Sequence, residues 1–394
     1  MAYYGKNLDM DDFALASSDA KEFENGMNLV SKATVWREIP AASCTVYGFL
    51  PGEYEAANAA LIKKTAKEFI LSTMDERLAR DTLNGARLFI DLGDGSHPLF
   101  LRDTAIPSLF GRAGLECSTK LRRELVRYNP DAMAAILNVG LSMASGSKPM
   151  KVCMCAGKVN AMLSPSYNIL GNQKVIEAAK DILAEKFGEL EFHYGEITHG
   201  KVCAFYTMPE ATNDFVAKYE KAIENTTCYS QVVNSVVPAV RIVSSDCGQC
   251  SATIVPKILI NGKPRSFLKP MKTRHIGEQS ENLEAWENSC RMVYAKLDET
   301  VEMIDKMAHT DIFYPMNTIQ NLCKKIKLPE KWLLAAKELH SRFGDGICSM
   351  LDVYYSIYGA IDLAGDKKFG NLEEKVARLL LLDWSDYDTS VVID

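Results

Sequence analysis

The chain has 394 residues, of which 47% are hydrophobic and 24% are charged, and its formal net charge is −6. This amount of apolar material supplies a sizeable core and excludes a wholly disordered chain, and two or three domains are expected at this length. The sequence contains no apolar run of about 18 residues, so it predicts no transmembrane helix and no membrane partner.

Residues 1–30 form an acidic N-terminal segment that lacks the apolar stretch of a signal peptide. The chain has eleven cysteines, an odd number, and most lie inside apolar segments such as Val152-Cys153-Met154. Free cysteines in apolar surroundings are typical of a reducing compartment. We therefore expect a cytoplasmic protein.

Residues 31–145 are predicted to form an N-terminal α+β region. Gly93-Asp94-Gly95-Ser96 indicates a turn between two strands, and Asn129-Pro130 indicates the N-cap and first residue of a helix. Asp91, Asp94 and His97 also fit a metal or acid–base cluster, but Asp and Gly at this spacing favour a tight turn. The predicted strands are 31–39, 43–50, 87–91 and 98–101, and the predicted helices are 53–71, 104–112 and 131–143.

Residues 146–276 are predicted to form a central α+β region. Asn172 is expected to cap an amphipathic helix, and Asn261-Gly262 is the strongest hairpin signal in the chain. The predicted strands are 150–155, 158–163, 190–197, 201–207, 239–243, 252–260 and 265–268, and the predicted helices are 174–187 and 209–225.

Residues 277–394 are predicted to form a C-terminal helical region that ends in an acidic tail. The helices expected from apolar periodicity are 281–307, 329–343, 347–364 and 372–382. The predicted fold class is therefore α+β: a central mixed, mostly antiparallel sheet with flanking helices and a C-terminal helical unit.

Cys247-Gly248-Gln249-Cys250 is a C-x-x-C motif, which occurs in zinc sites and in redox pairs. A zinc site needs a second ligand pair at suitable spacing, and Cys153 and Cys155 lie far upstream. The residues after the motif favour a strand, whereas a redox pair of this kind opens a helix. The motif thus favours structural cysteines, with metal binding as the alternative, and no cofactor is expected.

The sharpest feature of the sequence is a basic hairpin, residues 251–275, which contains six cations and no acid. These six positive charges leave −12 on the rest of the chain, whose total is −6. Cations spaced along strands and a turn can follow a phosphate backbone and gain affinity by counterion release. The alternatives are protection of an exposed edge strand and an ordinary solvated face. The six cations are Lys257, Lys263, Arg265, Lys269, Lys272 and Arg274.

Three segments, in chain order, carry a resemblance to a known family. The sequence V-N-A-M-L-S-P-S-Y at 159–167 is followed by V-R-I-V-S-S-D-C-G at 240–248 and M-L-D-V-Y-Y at 350–355. In this order they resemble the phage/plasmid-like proteins, the domain-of-unknown-function family numbered 932. The chain departs from the family pattern at Asn160, at Pro165 and Ser166, and at Cys247. The resemblance covers patches of residues 100–385 and implies a mobile-element origin in a bacterial host, but no reaction.

These features predict a phage or mobile-element nucleic-acid-binding protein, a non-catalytic single-strand binding or annealing factor that acts as a homo-oligomer and prefers single-stranded DNA to RNA. One alternative is an anti-defence or regulatory protein whose acidic surface binds a host protein. Another is an enzyme without a recognisable motif, in which Asp246 joins the acidic and histidine residues near the turn at 93–96. The predicted phosphate contacts are the six hairpin cations with Lys151 and Arg241, and the predicted stacking rings are Tyr167, Tyr229 and Phe267.

Overall fold

The computed structural model describes residues 8, 11–50, 87–144, 149–224, 226, 235–275, 279–342, 344, 346–363 and 372–393. The predicted helix at 53–71 and the predicted stacking residue Tyr229 lie outside these residues. Within them the α+β class is confirmed, and the strands are divided between two large sheets. No helix in the described ranges is long and apolar enough to cross a bilayer.

The first sheet has six strands in the order β2-β6-β7-β5-β4-β3. Its neighbours are antiparallel except β5 and β7, which run parallel. Helices α2, α3 and α4 lie against it, and the core between them includes Ile90, Leu137 and Val152. The strands are β2 (Thr34–Ile39), β3 (Thr45–Gly48), β4 (Leu88–Asp91), β5 (Leu99–Leu101), β6 (Met150–Cys155) and β7 (Lys158–Leu163), and the helices are α2 (Ile106–Arg112), α3 (Thr119–Tyr128) and α4 (Pro130–Met143). Strands on both sides of residue 146, the predicted boundary between the first two α+β regions, pair in this sheet.

The second sheet has seven strands and is antiparallel, in the order β1-β8-β9-β10-β11-β12, with β13 also paired to β11. Alternation places Val240, Ile242 and Ile254 on the face that packs against the helices. The strands are β1 (Ala14–Ser17), β8 (Glu191–Thr198), β9 (Val202–Thr207), β10 (Val236–Ser244), β11 (Ala252–Ile260), β12 (Lys263–Arg265) and β13 (Met271–Thr273). The helices at this sheet are α1 (Ala20–Ala33), α5 (Asn172–Phe187) and α6 (Thr212–Ala222).

The described part of the C-terminal region consists mainly of helices, as predicted, and also contains a short two-stranded ladder. The single helix predicted at 281–307 is two helices that meet at Met292. A capping box formed by Ser349 and Asp352 starts the most deeply buried of these helices. The elements are α7 (Gln279–Arg291), α8 (Val293–Ala308), β14 (Asp311–Ile312), α9 (Pro315–Lys325), α10 (Glu330–Ser341), β15 (Cys348–Ser349), α11 (Met350–Asp362) and the 3₁₀ segment Ala377–Leu381.

The hairpin turn predicted at Asn261-Gly262 is confirmed. Both residues have positive φ, 52° and 74°, as the type I′ turn requires. Lys263 and Arg265 on β12 therefore pair back onto Ile260 and Ile258 of β11. The turn fixes which cations of the basic hairpin face the helices and which face outward.

Candidate nucleic-acid interface

The positions of Arg241 and Lys257 follow from the pairing of β10 with β11. Arg241 is opposite Val255 and Ala239 is opposite Lys257, so the two cations are diagonal neighbours on one face of the sheet. The other face of these strands is apolar and packs into the main core. Both cations therefore point to the side of the sheet that is covered by residues 372–381, which we call the C-terminal segment.

Glu373 of that C-terminal segment accepts ion-pairing hydrogen bonds from both cations, Arg241 and Lys257. The Tyr358 hydroxyl donates to the same carboxylate. Only 1% of the Lys257 side chain and 4% of the Glu373 side chain are exposed. Burial, and then the nearby Arg241 guanidinium, lower the pKa of Lys257, whereas contact with the carboxylate stabilises the charged form. Lys257 is therefore a structural cation. It was predicted to contact phosphate, but its side chain is buried in this ion pair.

Arg265 also forms its ion pair within the fold. Its guanidinium donates to both carboxylate oxygens of Asp362, at 3.0 and 2.6 Å, and lies 4.6 Å from the ring centre of Tyr358. Lys263 is 3.6 Å from the same carboxylate, although 60% of its side chain is exposed. The bidentate geometry is the strong form of this ion pair, so the predicted role of Arg265 as a phosphate contact is corrected.

Two of the predicted stacking rings lie in the interior. Phe267 is 1% exposed and packs on Tyr354 of α11, with 5.4 Å between ring centres. Tyr167 is 8% exposed and stacks on His275 at 5.4 Å, and its hydroxyl donates to the Ser245 carbonyl. Neither ring presents a face to a ligand. Both rings were predicted to stack on bases, and the structure places them in the core. Lys151 donates to the Tyr167 carbonyl at 2.7 Å and supports this loop.

A cleft of about 220 Å³ opens where the basic hairpin meets the C-terminal segment, and we call it the basic cleft. Its lining includes Lys269 and Lys272 of the hairpin and Arg378 of the C-terminal segment. All three are exposed, and among the described residues none of them forms an ion pair with a carboxylate. Arg274 is exposed two residues beyond Lys272. The apolar part of the lining consists of Val255, Leu268, Pro270, Ala377 and Leu381.

Two buried polar atoms at the floor of the basic cleft have no hydrogen-bond partner among the described residues. One is Oγ of Ser266, a residue that is 3% exposed, and the other is Nε of Arg241. Buried polar groups are almost always paired with protein, water or ligand. Within the described residues, the lining of the cleft therefore holds two donors that the fold itself does not use.

One further exposed cation, Lys201, lies near the cleft residue Lys272, because both lysines act on the pKa of the Cys250 thiol. The half-buried thiol of Cys250 lies in the field of Lys201, Lys272 and Glu374. Burial raises the pKa of this thiol, and the two lysines oppose that shift. Sequence reasoning missed Lys201 and Arg378 because each is distant in sequence from the basic hairpin.

The C-x-x-C motif has the surroundings of structural cysteines. Cys247 is buried with Cys153 and Ala161, and its Sγ lies 3.3 Å from the Gly200 carbonyl oxygen. Burial raises the pKa of Cys247 to about 11, so its thiol is protonated at neutral pH. No group of three or more His, Cys, Asp and Glu side chains in the described part of the chain is placed to hold a metal ion.

The acidic residues near the predicted turn shape the backbone. Asp91 accepts from the Gly93 amide at 2.8 Å, and Asp94 accepts from the Ser96 amide at 3.0 Å. Asp94 also pairs with Arg37 at 2.7 Å. These are the side-chain contacts of Asx turns, which confirms the turn interpretation.

Comparison of the chain with models of known families, with curated proteins and with solved structures found no match. The resemblance to the phage/plasmid-like proteins therefore stays a prediction.

Proposed function

We propose that this chain binds single-stranded nucleic acid in the basic cleft and that it does so without catalysis. The observation that carries the proposal is the convergence of Lys269, Lys272 and Arg378 on one concave surface. Their charges come from parts of the chain more than 100 residues apart in sequence, so the fold assembles the site. Cations that converge without carboxylate partners suit a phosphate backbone.

The binding energy in this proposal comes mainly from counterion release. Each phosphate that a cation neutralises on a single strand contributes about −0.7 to the slope of log affinity against log salt concentration. Three contacts, from Lys269, Lys272 and Arg378, therefore predict a slope of about −2. The acidic remainder of the surface repels a polyanion at a distance, so binding is confined to this positive region.

The apolar lining favours a single strand over a duplex and DNA over RNA. Leu268, Pro270 and Leu381 offer surface to a base or sugar, and a single strand can turn such a group toward the protein, whereas a duplex keeps its bases stacked inside. These side chains carry no hydrogen-bonding group for a 2′-hydroxyl, which is the feature that distinguishes RNA.

The biological setting of this proposal follows from the resemblance in chain order described above. It supports a mobile-element origin in a bacterial host, and together with the basic cleft we propose a protein that acts on nucleic acid in the cytoplasm of that host. The single-strand binding or annealing role belongs to the same proposal.

The test is titration of a labelled 20-nucleotide oligo-dT by fluorescence anisotropy at three salt concentrations. The variant Lys269→Ala/Lys272→Ala/Arg378→Ala is expected to lower affinity at least about tenfold at low salt and to flatten the salt slope by about 2. The matched control is Lys120→Ala/Arg123→Ala/Arg127→Ala on α3, which removes the same charge from exposed positions outside the cleft. Equal losses in both triple variants, or binding that ignores salt, would refute the proposal.

A second candidate function, self-association, is favoured by one observation on α4. Ile136, Val139 and Met143 are 43%, 60% and 74% exposed and follow helical spacing. We propose that this row packs against the same row of a second copy, because a two-fold contact needs only one self-complementary surface. Sedimentation velocity is expected to show a dimer for the native chain and a monomer for Val139→Asp. A native chain that stays monomeric at high concentration would exclude self-association through α4. A host protein bound at α4 would show instead that this row of residues is a site for a different partner.

A further inference from the structure

We infer that the basic cleft holds the terminal phosphomonoester of a strand rather than a phosphodiester within it. This inference rests on the proposed function and specifies which chemical group occupies the site. Three features carry it: the charge balance of the lining, the unpaired donors at the floor, and the concave shape.

The charge balance of the cleft suits a dianion. Among the described residues five cations and two carboxylates line it. Glu373 is already shared by Arg241 and Lys257, and Glu374 is the second acid among the described residues of the lining. A terminal phosphate carries about −1.5 to −2 at neutral pH, whereas an internal phosphodiester carries one negative charge. The excess of positive charge therefore discriminates between the two groups.

The lining holds two buried donors that have no partner among the described residues, Ser266 Oγ and Arg241 Nε. An internal phosphodiester is held by sugars on both sides, which restricts its approach to the floor. A terminal phosphomonoester has one ester bond and three free oxygens, so it can enter the cleft end-on and accept from both donors.

The lining offers separate groups to a phosphate and to a nucleoside. In this inference Lys269, Lys272 and Arg378 contact the phosphate, while Leu268 and Pro270 offer apolar surface to the attached sugar or base. This arrangement recognises a nucleotide end, and inorganic phosphate would use only the charged half.

The experiment compares three oligo-dT 20-mers that carry a 5′-phosphate, a 3′-phosphate or hydroxyls at both ends, each labelled internally. At least one phosphorylated oligonucleotide is expected to bind about tenfold more tightly than the unphosphorylated one, since charge-assisted hydrogen bonds distinguish them. Ser266→Ala is expected to reduce this preference several-fold. The Tyr354 hydroxyl donates to the backbone carbonyl of Ser266, so the substitution keeps that contact, and circular dichroism checks the fold.

Competition experiments identify the ligand source. Thymidine monophosphate is expected to displace the phosphorylated oligonucleotide at lower concentration than inorganic phosphate or thymidine does. Equal competition by inorganic phosphate and thymidine monophosphate would overturn the strand-end assignment in favour of a free-phosphate site. Equal binding of all three oligonucleotides would overturn the inference and leave the proposed function standing. Failure of every oligonucleotide to bind would overturn both.

Discussion

Glu373 and Lys257 form a buried ion pair at the floor of the basic cleft, and this pair joins the C-terminal segment to the interior strand β11. The two residues are 116 positions apart in sequence. The same carboxylate also accepts from Arg241 and Tyr358. One acid thus fixes the position of the segment that carries Arg378, and the geometry of the cleft depends on it.

Removal of this carboxylate is expected to destabilise the protein strongly. Glu373→Ala leaves the Lys257 ammonium buried without its counterion, and breaking a buried pair by deleting one partner costs about 3–5 kcal/mol. Urea unfolding monitored by circular dichroism measures the change in the free energy of unfolding.

The matched variant for this prediction removes both charges. Glu373→Gln/Lys257→Met keeps an acceptor for Arg241 and replaces the ammonium by an apolar group of similar length, so at least half of the loss is expected to be recovered. A double variant as unstable as Glu373→Ala would show that packing, rather than the unpaired charge, dominates.

His199 is expected to make the protein sensitive to acid. Its Nε2 lies 2.6 Å from the Leu8 carbonyl oxygen, and its Nδ1 lies 3.4 Å from Nη1 of Arg102. A guanidinium only donates, so Nδ1 accepts and the ring is neutral. Burial, and then the Arg102 charge, lower the pKa of His199 to about 4. The unfolded chain therefore binds a proton below its ordinary pKa of 6.5 while the folded chain does not, and stability falls between about pH 6.5 and pH 4.

The measurement is urea unfolding of the native chain and of His199→Gln at pH 7.5 and pH 5. Between pH 7.5 and pH 5 the free energy of unfolding of the native chain is expected to fall by about 2 kcal/mol more than that of the variant. The reason is that pH 5 lies about 1.5 pH units below the ordinary pKa of histidine, and this difference corresponds to about 2 kcal/mol. Parallel losses in the two proteins would place the acid sensitivity elsewhere.

Asp246 is expected to act in the opposite direction. Burial raises its pKa to about 6, although the Asn172 and Gly171 amides at the start of α5 oppose this shift. The folded chain thus retains a proton that the unfolded chain releases between about pH 3.8 and pH 6, so this residue lowers stability as pH rises through that window. The variant Asp246→Asn keeps a side-chain acceptor for the helix amides. As the pH rises from 4.5 to 7.5, its free energy of unfolding is expected to increase by about 2 kcal/mol relative to that of the native chain. Urea unfolding at both pH values measures the difference in stability between the two proteins. A difference that is the same at pH 4.5 and pH 7.5 would contradict the raised pKa of Asp246.

Local signals predicted the hairpin turn and most strands, and one helix was missed although its signal is present. Asp19 caps α1 and is followed three residues later by Glu22, while Phe23, Met27 and Val30 lie buried at helical spacing. The acidic composition of residues 1–30 obscured this pattern. Composition describes a segment as a whole, whereas a cap and its periodicity specify individual positions.

The site was harder to predict because its pairing is non-local. β11 is buried along nearly its whole length, so alternation could not show whether Lys257 faces solvent or a partner. Its partner Glu373 and the cleft residue Arg378 are placed by the C-terminal segment. A run of cations in the sequence gives the charge of a segment, and tertiary contacts decide which of those charges remain exposed.

Lys263, which the sequence predicted at the site, and Arg378, which it did not, differ in whether they line the basic cleft. Lys263 was predicted to contact phosphate, but it lies near Asp362 and outside the basic cleft, whereas Arg378 lines the cleft. Arg378→Glu is expected to weaken oligo-dT binding at least about tenfold, because it removes one phosphate contact and adds a repulsive charge there. Lys263→Glu changes the net charge equally and is expected to weaken binding only about twofold, through the long-range field. Fluorescence anisotropy at fixed salt gives both values, and similar losses would mean that general positive charge, rather than the assembled cleft, holds the strand.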